Sequence, residues 1–90
     1  VAPPAPESEP RSGLVDQLYR ALAVWRRAQA AQQEVPAFHV LGNRTLDAIA
    51  RARPGTLDEL AAVPGIGPGK LDRYGEEVLA TIAEAVRAAA

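Results

Sequence analysis

The stretch VPGIGPGK, residues 63–70, packs three glycines and two prolines into eight positions and ends on Lys70, the only lysine of the chain. Glycine turns that lead into a lysine are a common way of holding phosphate, so the spacing decides whose phosphate is meant. A nucleoside-triphosphate loop needs G-x-x-x-x-G-K followed by Ser or Thr. Counting back from Gly69-Lys70 puts Pro64 where the first glycine belongs, and Leu71 has no hydroxyl for magnesium. A dinucleotide fingerprint also fails, because its third glycine would fall on Lys70 and no strand pattern precedes the turn. Nucleotide hydrolysis is therefore excluded for this loop.

What fits is L-x-x-V-P-G-I-G, residues 60–67, an apolar run before a Pro-Gly-apolar-Gly turn that joins two short helices. In helix-hairpin-helix turns of this form the glycines let a nucleic-acid backbone come close. Peptide N–H groups at the start of the next helix then face a phosphate, helped by the helix dipole. Gly67, Gly69 and Lys70 would supply N–H groups, and Lys70 and Arg73 would add charge; Pro68 has no N–H to give. The structural alternative is a sharp turn in which Ile66 plugs the core.

Two further sets of residues could act on a partner. Arg26 and Arg27 end the apolar stripe of a first helix, and Arg44, Arg51 and Arg53 belong to a second, so neighbouring helices would share a basic face. Phe38, after Pro36, offers either a core side chain or an exposed ring for a base to stack on. Against these stand Asp58, Glu59, Asp72, Glu76 and Glu77, an acidic set that would repel DNA and attract a basic protein surface; Glu76 and Glu77 could equally serve the N-terminus of a last helix. Residues 14–54 hold six arginines against three acids (+3), whereas residues 55–90 hold three basic against six acidic side chains (−3), so the chain has a basic and an acidic half. With ten basic and eleven acidic residues in all, no global field draws it to nucleic acid.

Catalysis has little to work with. Cysteine is absent, which removes disulfides, thiolate nucleophiles and cysteine zinc sites and makes an intracellular setting the default. His39 is the single histidine and has no carboxylate or nucleophile fixed near it by spacing. No metal and no cofactor is expected. Apolar runs fall well short of the ~20 residues of a membrane span, and the start shows no basic-then-apolar leader.

The elements that must position these side chains are helical. Only four residues are aromatic and nineteen are alanine, a composition suited to closely packed helices. Residues 1–13, with four prolines, read as a disordered linker ahead of a helical domain at 14–90. A linker at the front of a chain that begins with Val suggests a domain from the C-terminal side of a larger protein. Ser12 can cap a first helix running to about Glu34, with Leu14, Leu18, Leu22 and Trp25 on one inward stripe. Tyr19 and Tyr74 should be half-buried. After Val35-Pro36 comes a short irregular apolar segment, and Asn43 caps a second helix that stops at Pro54-Gly55. Thr56 with Glu59 forms a capping box for a third. Pro68 opens a fourth, which Gly75 breaks at residue 74, and a fifth carries Val78, Leu79, Ile82 and Val86. The expected fold is an all-α, compact five-helix bundle containing a helix-hairpin-helix-like turn.

The order LYRALAVWRR, VPAFHVLGNRTL and LDELAAVPGIGPGKLDRYGEEVLATI, from residue 18 to 82, resembles the HRDC domain, the helicase-and-ribonuclease-D C-terminal module. That family's pattern joins a Leu-Phe-x-x-Leu helix, Val-Pro-Pro-Tyr, Asp-x-Thr-Leu and Gly-x-Gly-x-x-Lys ahead of Tyr-Gly. Here Ala37 replaces the second proline, Phe38 the tyrosine, Asn43 the aspartate cap, and Gln29 stands where leucine is common. The resemblance implies a non-catalytic accessory domain, first of a RecQ-type DNA helicase acting in repair and recombination, and after it of a related helicase or an RNase D-like exonuclease. Its expected setting is the bacterial cytoplasm, at the nucleoid, as a monomer when isolated. Two roles follow: weak binding of single-stranded or branched DNA through Arg26, Arg27, Phe38, Arg44, Arg51, Lys70 and Arg73, or docking of the acidic set on the helicase core of the same chain or on another protein.

Overall fold

The computed structural model describes residue 11 and residues 13–89. Of the expected disordered linker at 1–13, residues 1–10 and the Ser12 cap lie outside them, whereas Gly13 already belongs to the first helix. All regular structure among the described residues is helical: α1 (Gly13–Gln33), α2 (Ala37–Val40), α3 (Asn43–Ala52), α4 (Leu57–Ala61) and α5 (Pro68–Ala89). The bundle of five helices is as expected, but it is divided differently.

The stripe on α1 works as its spacing requires, with Leu18 and Leu22 fully buried against α3 and α5. Val40, Leu46, Ile49, Leu60 and Val78 complete the centre of the core. Each such side chain contributes roughly 1.5–3 kcal/mol by leaving water. Trp25 stays only partly buried at the edge of that core, since its indole N–H must reach a partner; it donates to Glu77 at 3.2 Å. Tyr74, expected half-buried, is 3% exposed.

Helix α1 ends at a Schellman turn. The Glu34 N–H donates to the Ala31 carbonyl and the Val35 N–H to the Ala30 carbonyl, while Glu34 adopts φ 56° in the place glycine usually holds. The next segment is not irregular: one turn of α2 follows Pro36, held down by Val40 and Leu41. Asn43 is not the cap, because Gly42 occupies that position and makes no side-chain cap bond to α3. At α4 the Thr56 hydroxyl accepts from the Glu59 N–H as expected. The returning carboxylate reaches the Gly55 N–H at 2.7 Å, one residue ahead of the expected partner.

Gly75 does not break the last helix. Residues 68–89 form one continuous α5, in which Gly75 is buried and a Cβ there would stand 2.8 Å from Leu57 Cδ2. The glycine is where α4 closes on α5, so its lack of a side chain serves packing while the helix runs on.

Candidate nucleic-acid interface

The surface with the expected chemistry forms where α2, the start of α3, the hairpin and the start of α5 meet. In α2, burial of Val40 and Leu41 turns Phe38 outward, and its ring is 69% exposed. The His39 imidazole lies edge-on to that ring at 4.8 Å. The His39 carbonyl accepts from the Lys70 ammonium, so the first turn of α5 is tied to α2. An ammonium carries three donors, and this tie uses one. The same ammonium lies 5.7 Å from the centre of the Tyr74 ring, with the Arg73 guanidinium at 6.0 Å. Tyr74 is itself fixed by Trp25, edge-on at 5.4 Å, and by Gln33, whose amide donates to the phenol oxygen at 2.7 Å.

The hairpin is held by the Ile66 N–H bond to the Val63 carbonyl and the Leu71 N–H bond to the Gly67 carbonyl. Gly65 has φ +96°, and a Cβ on it would fall 2.2 Å from Thr45 Oγ1, so the turn sits directly on the first turn of α3. Gly67 and Gly69 have open space beside their Cα atoms. Ile66 is partly buried against the core. The glycines of the hairpin thus divide: Gly65 packs against α3, whereas Gly67 and Gly69 leave the N-terminus of α5 approachable.

The arginines do not share one role. Arg26 Nη1 donates to the Leu41 carbonyl at 2.9 Å and closes the break between α2 and α3. Arg27 is exposed next to it, and Arg44 is exposed on the first turn of α3 with a partner of its own. Arg51 is committed elsewhere: its Nε bonds Asp47 Oδ2 at 2.8 Å, while Arg11 Nε bonds Oδ1 at 2.7 Å. Burial alone would push the Asp47 carboxyl up, but the bonds from Arg51 and Arg11 outweigh it and hold the group below its usual 3.8. Arg11, which the composition assigned to the linker, also lays its guanidinium 3.5 Å over the Tyr19 ring.

The acidic set is likewise divided. Glu59 bonds the Gly55 N–H, and Glu77 accepts from Trp25 and, at 2.8 Å, from Gln29, which joins α1 to α5. Gln29 thus has polar work where the family pattern has leucine. Asp58 is exposed on α4. Asp72, Glu76 and Glu77 line a cleft of about 580 Å3 together with Leu57, Leu71 and Arg73. Sequence reasoning missed His39 as a participant; its position beside Phe38 was the available signal.

The described residues form an all-α module built around a glycine hairpin, with an exposed aromatic turn tied to the hairpin's lysine. A family model of the HRDC domain matches residues 15–82. The solved D. radiodurans RecQ HRDC domain 3 superposes with a TM-score of 0.78 at 39% identity, covering 80% of this chain and 95% of that one. The ATP-dependent DNA helicase UvrD2 of Mycobacterium tuberculosis is 44% identical over 64 residues, 71% of this chain and 9% of that protein. The ATP-dependent DNA helicase RecQ of Bacillus subtilis is 36% identical over 67 residues, 74% of this chain and 11% of that protein. The chain belongs to the HRDC domain family, and it spans about a tenth of the length of these helicases.

Proposed function

We propose that this HRDC domain is the accessory part of an ATP-dependent DNA helicase of RecQ or a related type, and that it holds single-stranded or branched DNA weakly to tune the substrate choice of the helicase core. The observation that carries the reading is Phe38, 69% exposed and beside Lys70 at the open end of α5. A base stacks on the ring, and phosphates approach the N–H groups of Gly69 and Lys70 with Arg73, Arg44, Arg26 and Arg27 around them. Arg51 contributes through the fold, since it is paired with Asp47. UvrD2 and RecQ among the relatives support a helicase parent, and their bacterial origin supports action in the cytoplasm at the nucleoid. No described helix is long and apolar enough to cross a membrane.

Binding of this kind is salt-sensitive, with an affinity slope near −0.7 per phosphate contact on single strands, or about −2 for three contacts. A chemical-shift titration with oligothymidylate and with forked DNA tests it. Amides of Phe38, His39, Gly67, Gly69, Lys70 and Arg73 should move together, less at higher salt. Absence of any salt-dependent shift well above about 100 µM, the weak end of non-specific binding, refutes it.

A second reading rests on the cleft lined by Leu57, Leu71, Asp72 and Glu76, where apolar floor and acidic rim fit a basic, apolar segment of the helicase core or of a partner. Charge reversal at Asp58, Asp72 and Glu76 in the full-length helicase should then change ATP turnover while the domain stays folded. Unchanged turnover rejects it.

A further inference from the structure

The apolar stripe of α5 outruns the helices that cover it. Val78 and Ile82 are 1% and 5% exposed, but Val86, one turn further on, is 39% exposed because α3 has ended at Ala52. The result is a cleft of about 610 Å3 with walls of Pro54, Leu79, Ile82, Ala83 and Val86, sharing no residue with the surface around Phe38. Two arginines stand at its lining, Arg53 and Arg87. Both are exposed, and neither has an ion-pair partner among the described residues. Arg53 is set at the edge by its backbone: at φ 48° and ψ 58° it closes α3, with its N–H bonded to the Ile49 carbonyl at 2.9 Å.

We propose that this cleft docks a short segment of a partner protein in which leucine or isoleucine side chains are flanked by aspartate or glutamate. The volume lies in the range of small binding clefts, roughly 300–1,000 Å3. The walls reward aliphatic side chains, and the two guanidiniums reward carboxylates, each able to accept a bidentate pair. A nucleic-acid strand gains little here. The cleft has no aromatic side chain among its lining residues for a base to stack on, and its aliphatic wall would face a charged backbone. The partner thus has a chemistry opposite to that sought by the acidic cleft at the other end of α5, and the two surfaces are independent.

The test uses the 90-residue chain and a labelled peptide of alternating aspartate, glutamate, leucine and isoleucine, read by anisotropy and by amide shifts. Saturable binding with shifts confined to residues 52–55 and 79–87 is the expected result. Arg53→Asn with Arg87→Gln should weaken it roughly tenfold or more, as loss of two flanking charges implies, asparagine being chosen because it tolerates the left-handed backbone. Ala83→Leu, which fills the cleft from an exposed helical position, should abolish binding with the melting temperature unchanged or raised. Peptide shifts at Phe38 and Lys70 instead would overturn the proposal. So would tighter binding of oligothymidylate than of the peptide at residues 79–87, concentration-dependent self-association through this cleft in sedimentation, or equal affinity for a control peptide with serine at every aliphatic position.

Discussion

Replacing Asp47 with asparagine isolates the one buried carboxylate of the described chain, at 1% exposure between Arg51 and Arg11. Hydrogen bonds to a charged group contribute about 1.5–3 kcal/mol, and neutral ones about 0.5–1.5. Asparagine keeps only one acceptor oxygen, so one of the two bonds is lost to an amide nitrogen that cannot accept and the other passes to a neutral acceptor, which together cost at least about 2 kcal/mol. Screening removes little of this, because the two arginine side chains are only 21% and 28% exposed. At about 4–8 °C per kcal/mol for a domain of this size, Asp47→Asn should melt at least about 8–16 °C below the parent at pH 7. The sign of the pH dependence follows from the depressed carboxyl. A group whose folded pKa lies below its unfolded value stabilises fully above the unfolded value, near 3.9, and loses that contribution as pH falls through the folded one. The difference between parent and variant should therefore be full at neutral pH and shrink progressively below about pH 4, since the other carboxylates titrate in both proteins. Thermal unfolding by circular dichroism across that range measures it. Equal melting temperatures at pH 7, or a gap of constant size down to about pH 2, would refute the ion-pair account of this site.

Phe38→Ala should leave stability within about 0.5 kcal/mol, as for an exposed side chain, while weakening single-stranded DNA binding roughly 5- to 150-fold, the equivalent of about 1–3 kcal/mol per stacked base; a loss of stability with unchanged affinity would mean that the ring serves packing. Gly65→Ala meets both a left-handed backbone and Thr45, and should cost about 1–3 kcal/mol in urea unfolding, whereas Gly67→Ala, facing open space, should cost far less. Glu77→Lys removes the acceptor shared by Trp25 and Gln29 and should destabilise by about 1 kcal/mol, with Glu76→Lys near neutral; equal effects would show that Glu77 is only a surface charge.

Features written in short-range pattern were legible in the chain. The α1 stripe and the Thr56 cap depend on spacings of three and four residues, and both stand in the structure. Gly75 shows why local rules then fail. A glycine costs a helix about 1 kcal/mol, which made a break the natural reading. Contact of α4 with α5 through Leu57 outweighs that cost, and Leu57 lies eighteen positions away. Helix α2 was missed because a single turn has no period to detect. The basic face was read from charges that shared helices, but the partners that divide it are remote: Asp47 reaches Arg11 across 36 positions, and Arg26 finds a backbone carbonyl fifteen residues on. Exposure of Phe38 was open on composition and became determinate only once Val40 and Leu41 were placed beneath it.

The bond from the Trp25 indole to Glu77 gives the molecule an optical gauge of its own. Trp25 is the sole tryptophan, and it sits 5.4 Å from the Tyr74 ring, close enough to quench that phenol by energy transfer. Because its acceptor lines the acidic cleft, a basic ligand arriving there changes the field at the indole and shifts its emission. From the Phe38 turn, the His39–Lys70 bond and the Tyr74 ring lead to the same reporter. Emission from unlabelled protein would thus separate a ligand in the acidic cleft from one at the Phe38 surface.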